Sequence, residues 1–235
     1  MADRDPPKKP GELLGAALRL ERGQTPFPWQ LALLERFREG SIPRSLDVPT
    51  GLGKTATIAI WLVARALGAP VPRRLVYVVD RRAVVDQATQ VALELRDWVS
   101  RTPELHEGLG LLHPGGEGLA PRRYPLPIST LRGQFVDNRE WLEDPARAGI
   151  VIGTVDMVGS RLLFEGYGCS RKMRPYMAGL LGVDTLFALD EAHLVPPFEA
   201  LIESAVMGAE TFGPRRESDR RIVPRSVVLS LSATG

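Results

Sequence analysis

The chain has 235 residues, 44% of them hydrophobic and 25% charged, enough for one large domain or two small ones with a sizeable core. Lys and Arg number 30 against 28 Asp and Glu, a net charge of only +2, so no global field demands a polyanion and any nucleic-acid contact must be a local face. The single Cys169 excludes an internal disulfide, no apolar run reaches the roughly 18 residues of a membrane span, and nothing like a signal peptide opens the chain; a cytoplasmic protein with no membrane partner is expected.

Residues 1–10 are charged and Pro-rich without apolar period, which predicts a flexible tail ahead of one domain over 11–235. Leu13, Leu14, Ala17 and Leu18 then share a helical face. The stretch G-Q-T-P-F-P-W-Q ending at Gln30 leads into a helix with Leu31, Leu33, Leu34 and Phe37. Phe27 and Trp29 could staple that helix start and leave Gln30 solvated. Alternatively, Gln30 could read an adenine, because its amide donates and accepts at once and so matches N6 and N7 of the base.

A short apolar strand at Leu46 to Val48 enters Pro49-Thr50-Gly51-Leu52-Gly53-Lys54-Thr55. Two glycines let backbone N–H groups close round a polyphosphate, and a helix opening at Lys54 adds its partial positive charge. Lys54 would reach the β/γ-phosphates and Thr55 would hold Mg²⁺. Val48 stands where the general phosphate-loop pattern has Gly. The helix from Ala56 to Leu67 is apolar nearly all round and therefore buried.

Leu75 to Val79 is a continuous apolar run, the mark of a strand covered on both faces. It feeds Arg81 and Arg82, which suit phosphate contact or are merely solvated, and a helix with Val84, Ala88, Val91, Leu95 and Trp98 on one stripe. Residues 101–124 read as a long surface excursion with a short strand at Leu109 to Leu112. Two further strands, within P-L-P-I-S-T-L-R-G-Q and I-V-I-G-T-V-D-M, end near Thr130, Arg132 and Thr154. In an open parallel sheet ligands sit at such carboxyl ends, so these three with Arg81 and Arg82 form a candidate nucleic-acid face. The run 159–182, with Arg161, Arg171, Lys172 and Arg174, reads as a solvated loop or a basic patch, and Cys169 as structural.

Leu186 to Leu189 is an apolar strand ending in Asp190-Glu191-Ala192-His193. A strand-end acid is the expected companion of a phosphate loop: Asp190 would take Mg²⁺, and Glu191 would polarise the attacking water. His193 would link this site to its neighbours or sit in the core. A helix through Phe198, Leu201, Ile202, Ala205, Val206 and Ala209, a basic loop over 214–225, and a last strand ending in Ser232-Ala233-Thr234 follow.

In this order, the motifs P-T-G-L-G-K-T, D-E-A-H and S-A-T resemble the first RecA-like domain of superfamily 2 helicases over about residues 25–235. P-I-S-T-L-R-G-Q-F, G-T-V-D-M-V-G-S-R-L-L-F-E-G-Y-G and R-P-Y-M-A-G-L-L-G look like the helicase-nuclease of type I CRISPR-Cas interference, in the variant (type I-G, once I-U) whose nuclease does not precede the helicase. The resemblance implies an α/β RecA-like P-loop NTPase domain, a mostly parallel sheet with helices on both faces. It implies ATP and Mg²⁺ as cofactors, with Gln30, residues 49–55 and His193 at the nucleotide and Ser232, Ala233 and Thr234 coupling it to nucleic-acid grip. It also implies single-stranded DNA, an RNA-guided effector complex, a second RecA-like domain and an HD-type nuclease as partners. The last two have no counterpart here, and an arginine finger is worth about 10³–10⁵ in rate, so little or no ATP hydrolysis and no DNA cleavage are expected of this chain alone. Another superfamily 2 translocase, or a nucleotide-gated clamp without turnover, are the rival readings.

Overall fold

The computed structural model describes residues 9–49, 51–112, 126–131, 140–207, 216–222 and 224–233. The readings made for residues 1–8, Thr50, Arg132 and Thr234 lie outside them.

Six strands, β1 (Ser45–Asp47), β2 (Arg74–Val79), β3 (Ile128–Leu131), β4 (Gly149–Thr154), β5 (Thr185–Asp190) and β6 (Val227–Ser232), form one parallel sheet in the order β1-β6-β5-β2-β4-β3. Every residue of β2 and β4 is buried, which is why their sequences run apolar without alternation. Parallel neighbours need crossovers, and helices supply them. Helices α1 (Pro10–Ala17), α2 (Pro28–Arg38), α3 (Thr57–Ala66) and α4 (Arg82–Ser100) are followed by the short α5 (Glu140–Glu143). Then come α6 (Val155–Leu162), α7 (Arg174–Gly182), α8 (Pro196–Ile202) and α9 (Glu217–Ile222).

The two-residue period of a strand sorts the core into two layers. Leu75, Tyr77 and Val79 pack with α1 to α4, whereas Val76 and Val78 pack with α6, α7 and α8. Helix α3 is buried from Thr57 to Ala64, and Trp61 ties it down by donating from Nε1 to the Pro72 carbonyl at 2.8 Å.

Several local expectations are corrected. Helix α4 buries Val85, Ala88, Ala92, Leu95 and Val99; Ala88 and Leu95 are as anticipated, but Val84, Val91 and Trp98 flank the stripe half-buried. Leu109 to Leu111 is a packed turn, not a strand: Leu109 and Leu111 enter the core because Gly108 lies hard against the Ala66 carbonyl, where a Cβ would come within 1.9 Å of the oxygen. The strand within I-V-I-G-T-V-D-M ends at Thr154, and Val155 already opens α6. The run 159–182 is helical at both ends, since Pro175 starts α7 and Met177, Ala178 and Leu181 bury one side of it. Arg161 leaves the supposed basic patch altogether; it is buried and donates to the Met157 carbonyl at 3.1 Å. Helix α8 ends at Ile202, with a wider turn over Glu203–Met207, and α9 interrupts the basic loop.

Among the described residues no helix is long and apolar enough to cross a membrane.

Candidate active site

The topology brings two distant motifs to one sheet edge. Strand β6 lies between β1 and β5, with Asp47 in register with Ser232 and Leu231 in register with Asp190. The loop after β1 and the acids after β5 therefore leave the sheet side by side, where open parallel sheets collect ligands. Ser232 joins the loop side, its carbonyl accepting from the Val48 N–H at 2.9 Å, and Ala233 follows half-buried.

Gly51 (φ 87°) and Gly53 (φ 72°) take the left-handed backbone that turns the loop, a conformation costly to residues with a Cβ. Leu52 N–H donates to the Pro49 carbonyl at 3.3 Å and Ala56 N–H to Gly53 at 2.9 Å. Lys54 and Thr55 open a 3₁₀ turn, Lys54–Ala56, and α3 proper begins at Thr57. That tightened turn replaces the α-helical start expected at Lys54.

The Lys54 amine reaches across to Glu191 and donates to its Oε1, with the two side chains 9% and 28% exposed. Glu191 itself has φ 51°, an uncommon conformation for a non-glycine residue. This kink separates its direction from that of Asp190, as two different roles for adjacent carboxylates require. His193 Nδ1 stands 3.3 Å from Glu191 Oε2 without forming a hydrogen bond to it, and its side chain is about half exposed; it belongs to the site and not to the core.

One contributor was missed by the sequence reading. Tyr77 is fully buried on β2, opposite Ala188 of β5. Its hydroxyl lies near Asp190 and Thr55 without a formed hydrogen bond. Burial pushes the Tyr77 phenol well up, and the nearby Asp190 adds to this. Burial also raises Asp190, opposed by Tyr77 and Lys54 and reinforced by Glu191. The only signal for Tyr77 was a polar tip in an otherwise apolar strand.

Asp190 Oδ1, Glu191 Oε2, Tyr77 OH and Thr57 Oγ1 are buried without hydrogen-bond partners, an unusual concentration for a folded interior. Unpartnered carboxylate oxygens beside a threonine and a lysine fit a hard divalent cation and a polyphosphate. Among the described residues no group of three or more His, Cys, Asp or Glu could cage a metal. The donor set suits Mg²⁺, which takes one or two carboxylates and completes its shell with water and phosphate oxygens.

Gln30 departs from its solvated reading. It is 4% exposed, and its Oε1 accepts from the Phe27 N–H at 2.9 Å, capping α2. Its Nε2 faces the loop, 3.9 Å from where a Cβ on Gly53 would stand. Phe27 is 48% exposed, while Trp29 packs on the core, so the aromatic pair is not a closed staple.

The supposed nucleic-acid face divides. Arg81 and Arg82 are exposed at the start of α4, with Arg81 Nε 3.2 Å from its neighbour Asp80. Thr130 turns inward instead, its hydroxyl 3.1 Å from that of Thr89 on α4; the strand's inward face, not its end, sets its direction. Thr154 is 8% exposed at the N-cap of α6 and makes no capping bond with its side chain.

No protein-family model and no curated protein matches the chain. Among solved structures, the DUF1998 helicase MrfA bound to DNA and AMPPNP superposes with a TM-score of 0.56 at 16% identity, over 98% of this chain and 27% of that one. A variant of S. cerevisiae Dbp5 bound to Gle1 and IP6 gives 0.52 at 15% identity, over 94% of this chain and 44% of that one. The fold is RecA-like. The chain spans well under two thirds of the length of either protein. Within the RecA-like sheet, the Gly51–Thr55 loop and the Asp190–His193 turn occupy the carboxyl ends of β1 and β5, two strands apart with β6 between.

Proposed function

We propose that this chain is the ATP-binding RecA-like half of an ATP-dependent motor that moves on single-stranded DNA. The observation that carries the reading is the convergence of Lys54, Asp190 and Glu191 at one sheet edge, with carboxylate oxygens left unpartnered. Lys54 would hold the β/γ-phosphates and Thr55 and Asp190 would hold Mg²⁺. Glu191 would orient and deprotonate the attacking water, and residues 49–53 would cradle the phosphates. Bound Mg²⁺ would supply neutralisation of the phosphate oxygens. Gln30 Nε2 and the exposed Phe27 ring would meet the adenine from one side, and His193 would relay the state of Glu191 to neighbouring elements. Arg81 and Arg82 would contact the DNA backbone, with Thr154 and Arg132 as further candidates, and residues 232–234 would link the nucleotide to that grip. The DNA and AMPPNP in the MrfA complex support the same kind of cargo and fuel.

The finer role we propose is in CRISPR interference, alongside an RNA-guided effector complex, a second RecA-like domain and an HD-type nuclease; the text around β3, α6 and α7 supports it. The single domain would be residues 11–235, behind a short tail. Fluorescent ATP-analogue titration of the chain, with Mg²⁺ and with chelator, tests the site. Saturable, Mg²⁺-dependent binding abolished by Lys54→Ala is expected, and binding indifferent to both would refute the reading. Salt titrations of single-stranded DNA binding test the face: Arg81→Ala and Arg82→Ala should each reduce the slope by about one phosphate.

A further inference from the structure

The opposite, amino-terminal end of the sheet holds a second concentration of charge. Arg73, Arg74, Val183, Asp184, Ile222 and Pro224 border a cavity of about 340 Å³, at the small end of ligand-sized pockets. It lies where β2, β5 and β6 begin, a full strand length from Lys54 and Asp190.

Its charges do not balance. Asp184 is already engaged: Oδ1 accepts from the Arg73 N–H at 3.0 Å, and Oδ2 lies 3.4 Å from Arg73 Nε. The left-handed turn at Asp184 (φ 52°) is pinned by its own N–H donating to Pro224 at 3.0 Å and by Arg74 N–H donating to its carbonyl at 3.1 Å. Arg74 is 5% exposed. Among the described residues its side chain has one hydrogen bond, from Nη1 to the Leu180 carbonyl in the last turn of α7, and no ion pair. Arg65, from the last turn of α3, is within electrostatic reach of both Asp184 and Arg73, and its Nε is buried without a partner. Burial depresses Arg74 to about 10, eased by Asp184 and worsened by Arg73.

Capping α7 accounts for one donor of Arg74 and no more. Two guanidinium groups and one carboxylate border the cavity, Arg65 is within electrostatic range of them, and a helix carboxyl end offsets only about half a unit of charge. The remaining wall is apolar, and it is open: Ile222 is 79% exposed and Val183 38%. Inorganic phosphate would answer the arginines and leave that wall wet. A carboxylate on a compact apolar body answers both.

We propose that this cavity binds such a carboxylate, with its oxygens on Arg74 and Arg73 and its body against Val183, Ile222 and Pro224. The carboxylate belongs either to a free organic acid or to an acidic side chain flanked by apolar residues on a partner protein. Thermal melting and amide-resolved NMR of the chain with benzoate test the site, with neutral benzamide and inorganic phosphate as controls. The acetylated, amidated tripeptide Leu-Glu-Leu serves as the arm that separates the two sources. Benzoate should raise the melting temperature saturably and shift amides around Arg74 and Asp184, and benzamide should do neither. Its affinity should fall at least about tenfold in Arg74→Met, the scale of a lost charge-assisted bond. The same loss is expected in Ile222→Asp, which lies at the exposed rim and leaves the core alone, so the test survives a misfolded Arg74 variant. No saturable response to benzoate, an equal response to benzamide, or a response untouched by Ile222→Asp would overturn the proposal. An Arg74 that only caps α7 predicts the first of these outcomes.

Discussion

Lys54, in the turn that opens α3, donates from its amine to Oε1 of Glu191, 137 residues further along the chain. In this state the proposed phosphate-binding cation and the proposed water-orienting carboxylate occupy each other. On the proposed function, a polyphosphate entering the loop would draw Lys54 away and so free Glu191. Glu191→Gln keeps the shape and removes the charge that competes for Lys54. Binding of a fluorescent ATP analogue should then hold or tighten, by up to about tenfold for a partly buried pair, while hydrolysis by any assembly containing the variant is lost. Clearly weaker binding in a titration would mean that the pair does not gate the loop.

Asp190 carries a stability penalty with a definite pH dependence. Burial raises its pKa above the ordinary carboxylate value, so the folded chain holds that proton more tightly than the unfolded one. The associated stability is full below the unfolded pKa and is lost as pH rises through the folded pKa. At neutral pH the ionised group therefore destabilises the ligand-free protein. Asp190→Asn should melt higher at pH 7 by a few degrees, given about 2–4 °C per kcal/mol for a domain of this size. The advantage should vanish below about pH 4. Melting curves across that range check the sign, and a variant less stable at pH 7 would contradict it.

Gln30 combines two duties that substitution can separate. Its Oε1 caps α2 and its Nε2 faces the loop. Gln30→Glu keeps the acceptor and removes the amide donor, so the fold should hold while any preference for ATP over GTP weakens. Gln30→Ala removes both, and loss of the cap should cost about 1 kcal/mol. Competition binding and melting of the two variants side by side separate base reading from capping.

Among the described glycines, Gly108 leaves the least room for a side chain. A Cβ there would sit 1.9 Å from the Ala66 carbonyl oxygen and 2.9 Å from the Ala66 Cα, both rigid backbone at the end of α3. Gly108→Ala should cost about 3 kcal/mol through forced displacement, which is about 6–12 °C in Tm. A shift under 2 °C or so would show that the 103–110 turn can swing clear.

The strand runs and the two site motifs were legible because each is a local pattern. L-V-Y-V-V is apolar at every position since both faces of β2 are covered, and P-T-G-L-G-K-T has glycines where the turn needs positive φ. The misreadings fall where a neighbour decides. Thr130 meets Thr89 of α4, a partner 41 residues away that no local pattern names. The α4 stripe moved one step because Val85, Ala92 and Val99, not Val84, Val91 and Trp98, enter the core. The turn at Leu109 buries its leucines through a contact with Ala66 that no window of sequence contains.

By itself, then, the sequence determined which groups could do phosphate chemistry and that they sit at strand ends, since period, glycine placement and strand-end polarity are properties of consecutive residues. Only the tertiary structure decided that Lys54 meets Glu191, that the Tyr77 hydroxyl lies near Asp190, and that Arg74 stands without a carboxylate partner among the described residues. These depend on strand order and register, and in a parallel sheet every neighbour is reached through a crossover that separates it in sequence.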